Sequence, residues 1–187
     1  VVVTKLREWT EQRVRPGIHL IVALIKNERF DWLVQKATEI GVASIVPVAA
    51  QRSVVKVAAA DLEKRRAKWV QVSVEAAKQC GHLVLPEIKP VTSADRAFAA
   101  ARAGLKGIPC VTGERKTLGE FFTGEPEAVT VAIGPEGDWS PEEMELAIGA
   151  GFEALDLGRH VLRSETAAMH VASVAAHVFH GGVGGGR

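Results

Sequence analysis

The stretch VTVAIGPEGDWSPEE, Val129 to Glu143, decides how this chain is read. Val129, Val131, Ala132 and Ile133 have the length and β-branched content of a buried strand, and Gly134, Pro135 and Gly137 stop both strand and helix from continuing. Ser140 and Glu143 then form a capping box, with Pro141 at the first helical position, where its missing N–H costs nothing. A buried strand, a glycine turn and a capped helix mark the carboxyl edge of an open α/β sheet, where such folds bind ligands. A plain strand-to-helix connection reads the same way, so the pattern alone leaves both open.

Outward from this stretch, strands and helices alternate. Ile18 to Ile25 is an apolar strand, and Arg29 to Ile40 an amphipathic helix with Phe30, Leu33, Val34 and Ala37 on one side, stopped by Gly41. A strand over Ser44 to Val48 leads to a polar turn carrying Gln51, Arg52 and Ser53. Asp61 is placed as the cap of a long helix reaching Gln79, with Trp69 and Ala76 in its buried stripe. Strands follow at Leu83 to Ile88, Ile108 to Val111 and Ala154 to Leu157, with helices from Ser93 to Ala103 and from Ser164 to about Phe179. The alternation predicts an α/β fold, a largely parallel sheet with helices on both faces.

Composition bounds the rest. With 187 residues and 47% hydrophobic content, the chain can bury a substantial core as one domain. No apolar run approaches membrane-spanning length and no signal-peptide pattern opens the chain, so a cytoplasmic protein is expected. Cys80 and Cys110 make no disulfide framework and show no metal-ligand spacing. Residues 1–110 carry 18 Lys/Arg against 10 Asp/Glu, whereas residues 111–187 carry 5 against 12. The first part therefore suits a polyanion and the second does not, although solvated helix faces also produce such imbalances.

Three turns, Thr112-Gly113-Glu114, Gly134 to Gly137 and Leu157-Gly158-Arg159, each follow an expected strand and would leave a parallel sheet at one edge. Their backbone amides can meet polar ligand groups, while Ile133, Leu157, Val161 and Leu162 offer apolar walls for a flat ring. None is a dinucleotide fingerprint or a P-loop. From the residues alone, the reading stops at a pocket for a small organic cofactor.

IGPEGDWSPEE and LDLGRHVLRSETAAMHV resemble the signature of the RsmE family of small-subunit ribosomal RNA methyltransferases. RFDWLVQKATEIGVASIVPVAAQRSVVK and VEAAKQCGHLVLPEI also resemble that family's blocks, in its order, so the likeness runs from about Ile18 to Val178. The resemblance implies a SPOUT-type domain with a carboxyl-terminal trefoil knot, usually a homodimer, which periodicity could not have shown. It implies transfer of the methyl group of S-adenosylmethionine to N3 of a uridine in small-subunit ribosomal RNA, without metal. It also implies that residues 1–17 are the remnant of, or linker from, an amino-terminal PUA-like RNA-binding domain, with the methyltransferase domain over 18–180; the glycine-rich composition of 181–187 reads as a flexible tail.

Carried onto this chain, the resemblance makes the three turns the cofactor site: Thr112, Gly113, Ile133, Gly134, Glu136, Gly137, Leu157, Gly158, Val161 and Leu162. Uridine N3 is a poor nucleophile until its proton leaves, so the site must accept a proton or stabilise the uracil anion. Arg163 is expected to stabilise the substrate, and Glu165 and Glu136 to accept a proton or orient a partner, the base remaining open between them and Glu75. The structural alternative is that Glu165 only complements a helix dipole and Arg163 only salt-bridges it. Arg52, Glu75, Gln79, His82 and Arg163 are expected at the RNA; His82 stands where the family commonly has Arg, and imidazole lacks the guanidinium fork for phosphate.

Two other functions fit parts of the pattern: a ribose 2′-O-methyltransferase of the same superfamily, and a non-catalytic RNA-binding module. The stripe Thr166, His170, Ser173, His177 and His180 lacks the convergent ligands a metal needs, and the row Ala168, Val171, Ala175 and Val178 suggests helix packing within the domain or across a dimer.

Overall fold

The computed structural model describes residues 15–55 and 58–181; the amino-terminal remnant and the glycine-rich tail expected from the sequence fall mostly outside them. Strands are β1 Gly17–Ala23, β2 Ser44–Val48, β3 Glu87–Ile88, β4 Leu105–Pro109, β5 Lys116–Thr117, β6 Ala128–Ile133 and β7 Glu153–Asp156. Helices are α1 Asn27–Ile40, α2 Ala59–Cys80, α3 Ala94–Ala99, α4 Leu118–Phe121, α5 Pro141–Gly149 and α6 Ser164–His180. The strands form one sheet in the order β3-β2-β1-β6-β4-β7-β5, with every pairing parallel.

β6 sits near the middle, registered Gly17↔Ala128 through Val22↔Ile133 against β1 and Leu105↔Val129 through Gly107↔Val131 against β4. All of its residues are buried. Alternation divides them between two cores, as the pleat requires. Val129, Val131 and Ile133 join Leu20, Val22, Phe30, Trp69 and Ala168 beneath α1, α2 and α6. Ala132 joins Ile21, Phe98, Trp139 and Ala147 beneath α3 and α5. Helices thus cover both faces, as the sequence predicts.

The departures have local causes. The strand expected over Leu83 to Ile88 shrinks to Glu87–Ile88, because Pro86 has no N–H to give a ladder and Leu83 is exposed. The helix expected from Ser93 to Ala103 ends at Ala99, since the chain must turn back beneath β6. There Gly104 adopts φ +130°, and a Cβ on it would strike the Ala128 carbonyl. β4 starts earlier than Ile108 because Lys106 and Gly107, unremarkable by propensity, are held by the ladder to β6. Asp61 does not cap α2: Ala58 occupies the N-cap, and Asp61 lies inside the first turn. β5 and α4 were not expected, although Thr117 and Glu120 form a capping box with both of its bonds.

On α6, Ala168, Val171 and Ala175 are fully buried within the domain, but Val178 is 47% exposed and departs from that row. His180 Nε2 lies 2.9 Å from the Pro16 carbonyl oxygen, tying the end of α6 to the start of the sheet. Among the described residues no cluster of His, Cys, Asp and Glu suits a metal, and no helix is long and apolar enough to cross a membrane.

Thr130, 2% exposed in the centre of β6, has a hydroxyl with no hydrogen-bond partner among the described residues. Replacing it with a methyl group removes a desolvated polar atom at nearly constant shape. Thr130→Val is expected to raise unfolding stability by about 1 kcal/mol, read as a higher urea midpoint at unchanged slope.

Candidate active site

The order β6-β4-β7 makes the three glycine turns neighbours, and because the strands are parallel all three leave at the carboxyl edge. Gly113 (φ +83°) and Gly158 (φ +105°) hold left-handed backbone in open space. Gly134 does a different job: a Cβ there would come within 3.2 Å of Asp138 Oδ1 and Trp139 Cδ1 and 3.3 Å of Trp139 N. The turn therefore folds tightly on itself. Asp138, at φ +62°, donates its N–H to the Pro135 carbonyl and accepts the Trp139 N–H at 2.8 Å. Asp tolerates this left-handed position better than most residues. Trp139 anchors the loop in the second core, edge-on to Phe98 with ring centroids 5.2 Å apart.

Glu143 closes the capping box on Ser140 and reaches further. Its Oε2 accepts the Ser140 N–H and its Oε1 the Gln51 N–H, each at 2.9 Å, with the residue only 3% exposed. One buried carboxylate thus joins the loop after β2 to the loop after β6. Arg52 adds to the seam, donating from Nη1 to the carbonyls of Gly137 (3.2 Å) and Trp139 (3.4 Å).

The other loops are tied in the same manner. Arg115 pairs with Asp156 at 3.7 Å and donates to the Cys110 carbonyl, and Asp156 Oδ1 accepts the Gly158 N–H at 3.0 Å, so the turns after β4 and β7 are joined. Ser164, first residue of α6, donates its hydroxyl to the Gly134 carbonyl at 2.7 Å. Arg29 in the first turn of α1 stands between Glu136 Oε1 (3.3 Å) and Glu165 Oε1 (3.6 Å). Glu165 therefore pairs with Arg29 and not with Arg163, while its other oxygen, Oε2, is buried without a partner among the described residues. Arg163 occupies the N-cap of α6, exposed, with no ion pair among the described residues.

Of the expected apolar walls, Leu157 and Leu162 pack partly buried against the main core, Ile133 is 2% exposed within it, and Val161 stands 84% exposed. Glu75, Gln79 and His82 are not brought to the three loops. α1 and α2 run side by side from the carboxyl edge, Phe30 stacking on Trp69 at 4.4 Å, and both end at the amino edge, where Gly41 approaches His82 and β3 pairs with the start of β2. Glu75 there bonds Gln71 and Lys78.

The carboxyl edge thus presents backbone groups from three turns, the guanidinium of Arg163, without an ion pair among the described residues, and two positioned carboxylates, a set suited to an organic cofactor and a reacting anion. The family model described as RNA methyltransferase domain matches residues 12–176. The chain belongs to that family. RNA methyltransferase relatives named ribosomal RNA small subunit methyltransferase E include those of Mesomycoplasma hyopneumoniae (32% identity, 80% of this chain, 65% of the relative) and Synechocystis (30%, 87% and 54%). The chain thus spans less than two thirds of the length of these two curated relatives. A solved ribosomal RNA small subunit methyltransferase E from Neisseria gonorrhoeae bound to S-adenosyl methionine superposes with TM-score 0.83 at 27% identity, over 92% of this chain and 71% of that one. A putative methyltransferase from Legionella pneumophila in complex with SAM gives 0.80 at 37% identity, over 86% and 65%. These likenesses bear out the resemblance to the RsmE family and the SPOUT-type α/β fold.

Sequence reasoning found the three turns of this RNA methyltransferase domain but missed the residues that tie them. Arg29, Gln51, Asp156 and Trp139 lie inside the quoted blocks, but nothing local to them or to Arg115 names a partner: Arg29 meets Glu165, 136 positions away. The Ser164 contact was the most accessible, because a helix expected to start there must meet the sheet edge.

Removing the Glu143 carboxylate leaves the buried Ser140 N–H and the part-buried Gln51 N–H unbonded. Glu143→Ala is expected to cost about 3 kcal/mol in denaturant unfolding, well beyond an ordinary cap deletion of about 1 kcal/mol. Cys110, between β4 and the Thr112 turn, has its thiol pushed above the ordinary range by burial, against the opposing pull of the Thr112 backbone and Arg115. A raised value means less thiolate at a given pH, so alkylation of Cys110 should lag that of exposed Cys80 at pH 8 and gain on it as pH rises, measured by peptide mapping.

Proposed function

We propose that this chain is the catalytic domain of an S-adenosylmethionine-dependent methyltransferase that modifies N3 of a uridine in small-subunit ribosomal RNA. The observation that carries this reading is the junction of three adjacent parallel-strand turns at one edge, braced to the start of α6 by the Ser164–Gly134 bond. S-adenosylmethionine supports it as the cofactor, since related structures hold that molecule. Thr112, Gly113, Gly134, Glu136, Gly137 and Gly158 bind it through the backbone of the turns, with Leu157, Val161 and Leu162 against its apolar parts; the buried Ile133 side chain supports the loop from beneath.

The sulfonium supplies an activated methyl group, so the protein's work is alignment and charge. Arg163, exposed and unpaired at the start of α6, stabilises the uracil anion that forms as the N3 proton leaves. Glu136 and Glu165 share Arg29 and act by orienting the loop and the helix start around the reacting base. Arg52 braces the cofactor loop and turns its remaining donors toward RNA. Glu75, Gln79 and His82, at the amino edge, contact RNA flanking the target uridine.

The domain assignment is part of this proposal: residues 18–180 form the methyltransferase domain. So are the homodimer, the cytoplasmic setting and the trefoil knot. The knot is supported by β6 lying between β1 and β4 while the chain returns from β7 to the β6 turn.

Calorimetry and nucleoside analysis test the reading. S-adenosylmethionine should give saturable heat with the wild-type chain and none with Gly134→Val, whose larger side chain disrupts Asp138 and Trp139. Arg163→Ala should bind the cofactor within about twofold of wild type but lose about 100-fold in single-turnover rate. Small-subunit RNA treated with the enzyme should yield 3-methyluridine. A 2′-O-methyl product would replace this proposal with the ribose reaction, and absence of cofactor heat would leave only an RNA-binding module.

A further inference from the structure

We propose that Lys26, Lys64 and Arg65 form a track for the phosphate backbone of the RNA strand whose uridine reaches the three turns; this rests on the methyltransferase reading above. Lys26 occupies the N-cap of α1 at the carboxyl edge, exposed and without an ion pair among the described residues. Lys64, in the second turn of α2, is likewise exposed and unpaired. Arg65 beside it donates from Nη1 to the Asn27 side-chain oxygen at 2.5 Å. That partner is a neutral amide. It fixes the direction of the guanidinium and leaves its charge uncompensated.

The neighbouring cations differ. Arg66 bonds the Ile88 carbonyl and pairs with Glu63, and Lys68 pairs with Asp31, so both are neutralised by the fold. This group of charges lies at the start of α2 beside the start of α1. Glu28 and Asp61 form no bond with it among the described residues, and Glu63, the acidic residue adjacent to Lys64, is engaged by Arg66. Cations held together without counter-charges repel one another, and a polyanion supplies what the protein omits. The track also joins the site directly: α1 carries Lys26 at one end of its first turn and Arg29, which grips Glu136 and Glu165, within it. Continuity with that edge makes RNA phosphate the fitting occupant, ahead of an acidic protein.

The test is fluorescence anisotropy of a labelled, uridine-containing single-stranded RNA against the whole chain from about 50 to 200 mM KCl, with cofactor calorimetry on the same samples. The K26A/K64A/R65A variant should lose at least about tenfold in RNA affinity at 100 mM KCl and lower the log–log salt slope by about 2, at about 0.7 per phosphate contact. Its S-adenosylmethionine affinity should stay within about twofold. R96A/R102A, on the α3 side of the sheet, should leave slope and affinity unchanged. Equal RNA binding by K26A/K64A/R65A and wild type would overturn the track alone, as would a matching loss in R96A/R102A or displacement by an acidic protein with no RNA binding. Wild-type binding that ignores salt would likewise overturn the track, whereas the absence of cofactor heat from the wild-type chain would instead remove the methyltransferase reading. Should the triple variant lose cofactor heat, Lys64→Gln, at an exposed side chain without a bond, decides: a slope lower by about 0.7 upholds the track and an unchanged slope rejects it.

Discussion

The molecule depends on β6 being buried on both faces and paired on both edges. A strand in that position can carry no charge and must alternate its side chains between two cores, which AVTVAI does, apart from the lone hydroxyl of Thr130. Its two ladders then set the position of β1 and β4, and through β4 that of β7. Because these strands are parallel, their carboxyl ends share one edge. The location of the site follows from hydrogen-bond registers in the middle of the sheet before any functional side chain is considered.

At that edge the protein faces a common difficulty of loop-built sites: loops are mobile, and positioning needs rigidity. The solution is a ring of cross-ties, each joining loops that are remote in sequence. Glu143 links the turns after β2 and β6; Arg115 and Asp156 link those after β4 and β7; Ser164 and Arg29 fasten the starts of α6 and α1 to the β6 turn. The buried tie at Glu143 is the strongest, since a carboxylate accepting two N–H groups out of water loses little to solvent screening. The Arg29 contacts, about a third exposed on the arginine, do more for orientation than for stability.

The arrangement also separates two kinds of positive charge. Arg29, Arg66 and Lys68 meet carboxylates, whereas among the described residues Lys26, Lys64, Arg65 and Arg163 do not. The excess of basic residues in the first 110 positions is therefore distributed unevenly. Composition reports its size, and only the fold reports which charges remain for a ligand.

The sequence by itself determined the elements whose signals are local: the β6 strand, the Gly134 turn, the Ser140–Glu143 capping box, the Gly41 stop and the alternation that makes the sheet parallel. These depend on backbone preference and on periodicity within a few residues, and so can be read from neighbours. Legibility failed where long-range contacts outweighed local preference, as in the early start of β4, the shortened β3 and the cap of α2. Within the site, the three turns were legible because each follows a strand and carries glycine. Their adjacency, the Glu143–Gln51 seam, the pairing of Glu165 with Arg29, and the placement of Glu75, Gln79 and His82 at the opposite edge were decided by tertiary structure alone. The physical reason is that hydrogen bonds and ion pairs act across a few ångströms of space whatever the separation along the chain, and no local pattern records which distant residue will arrive there.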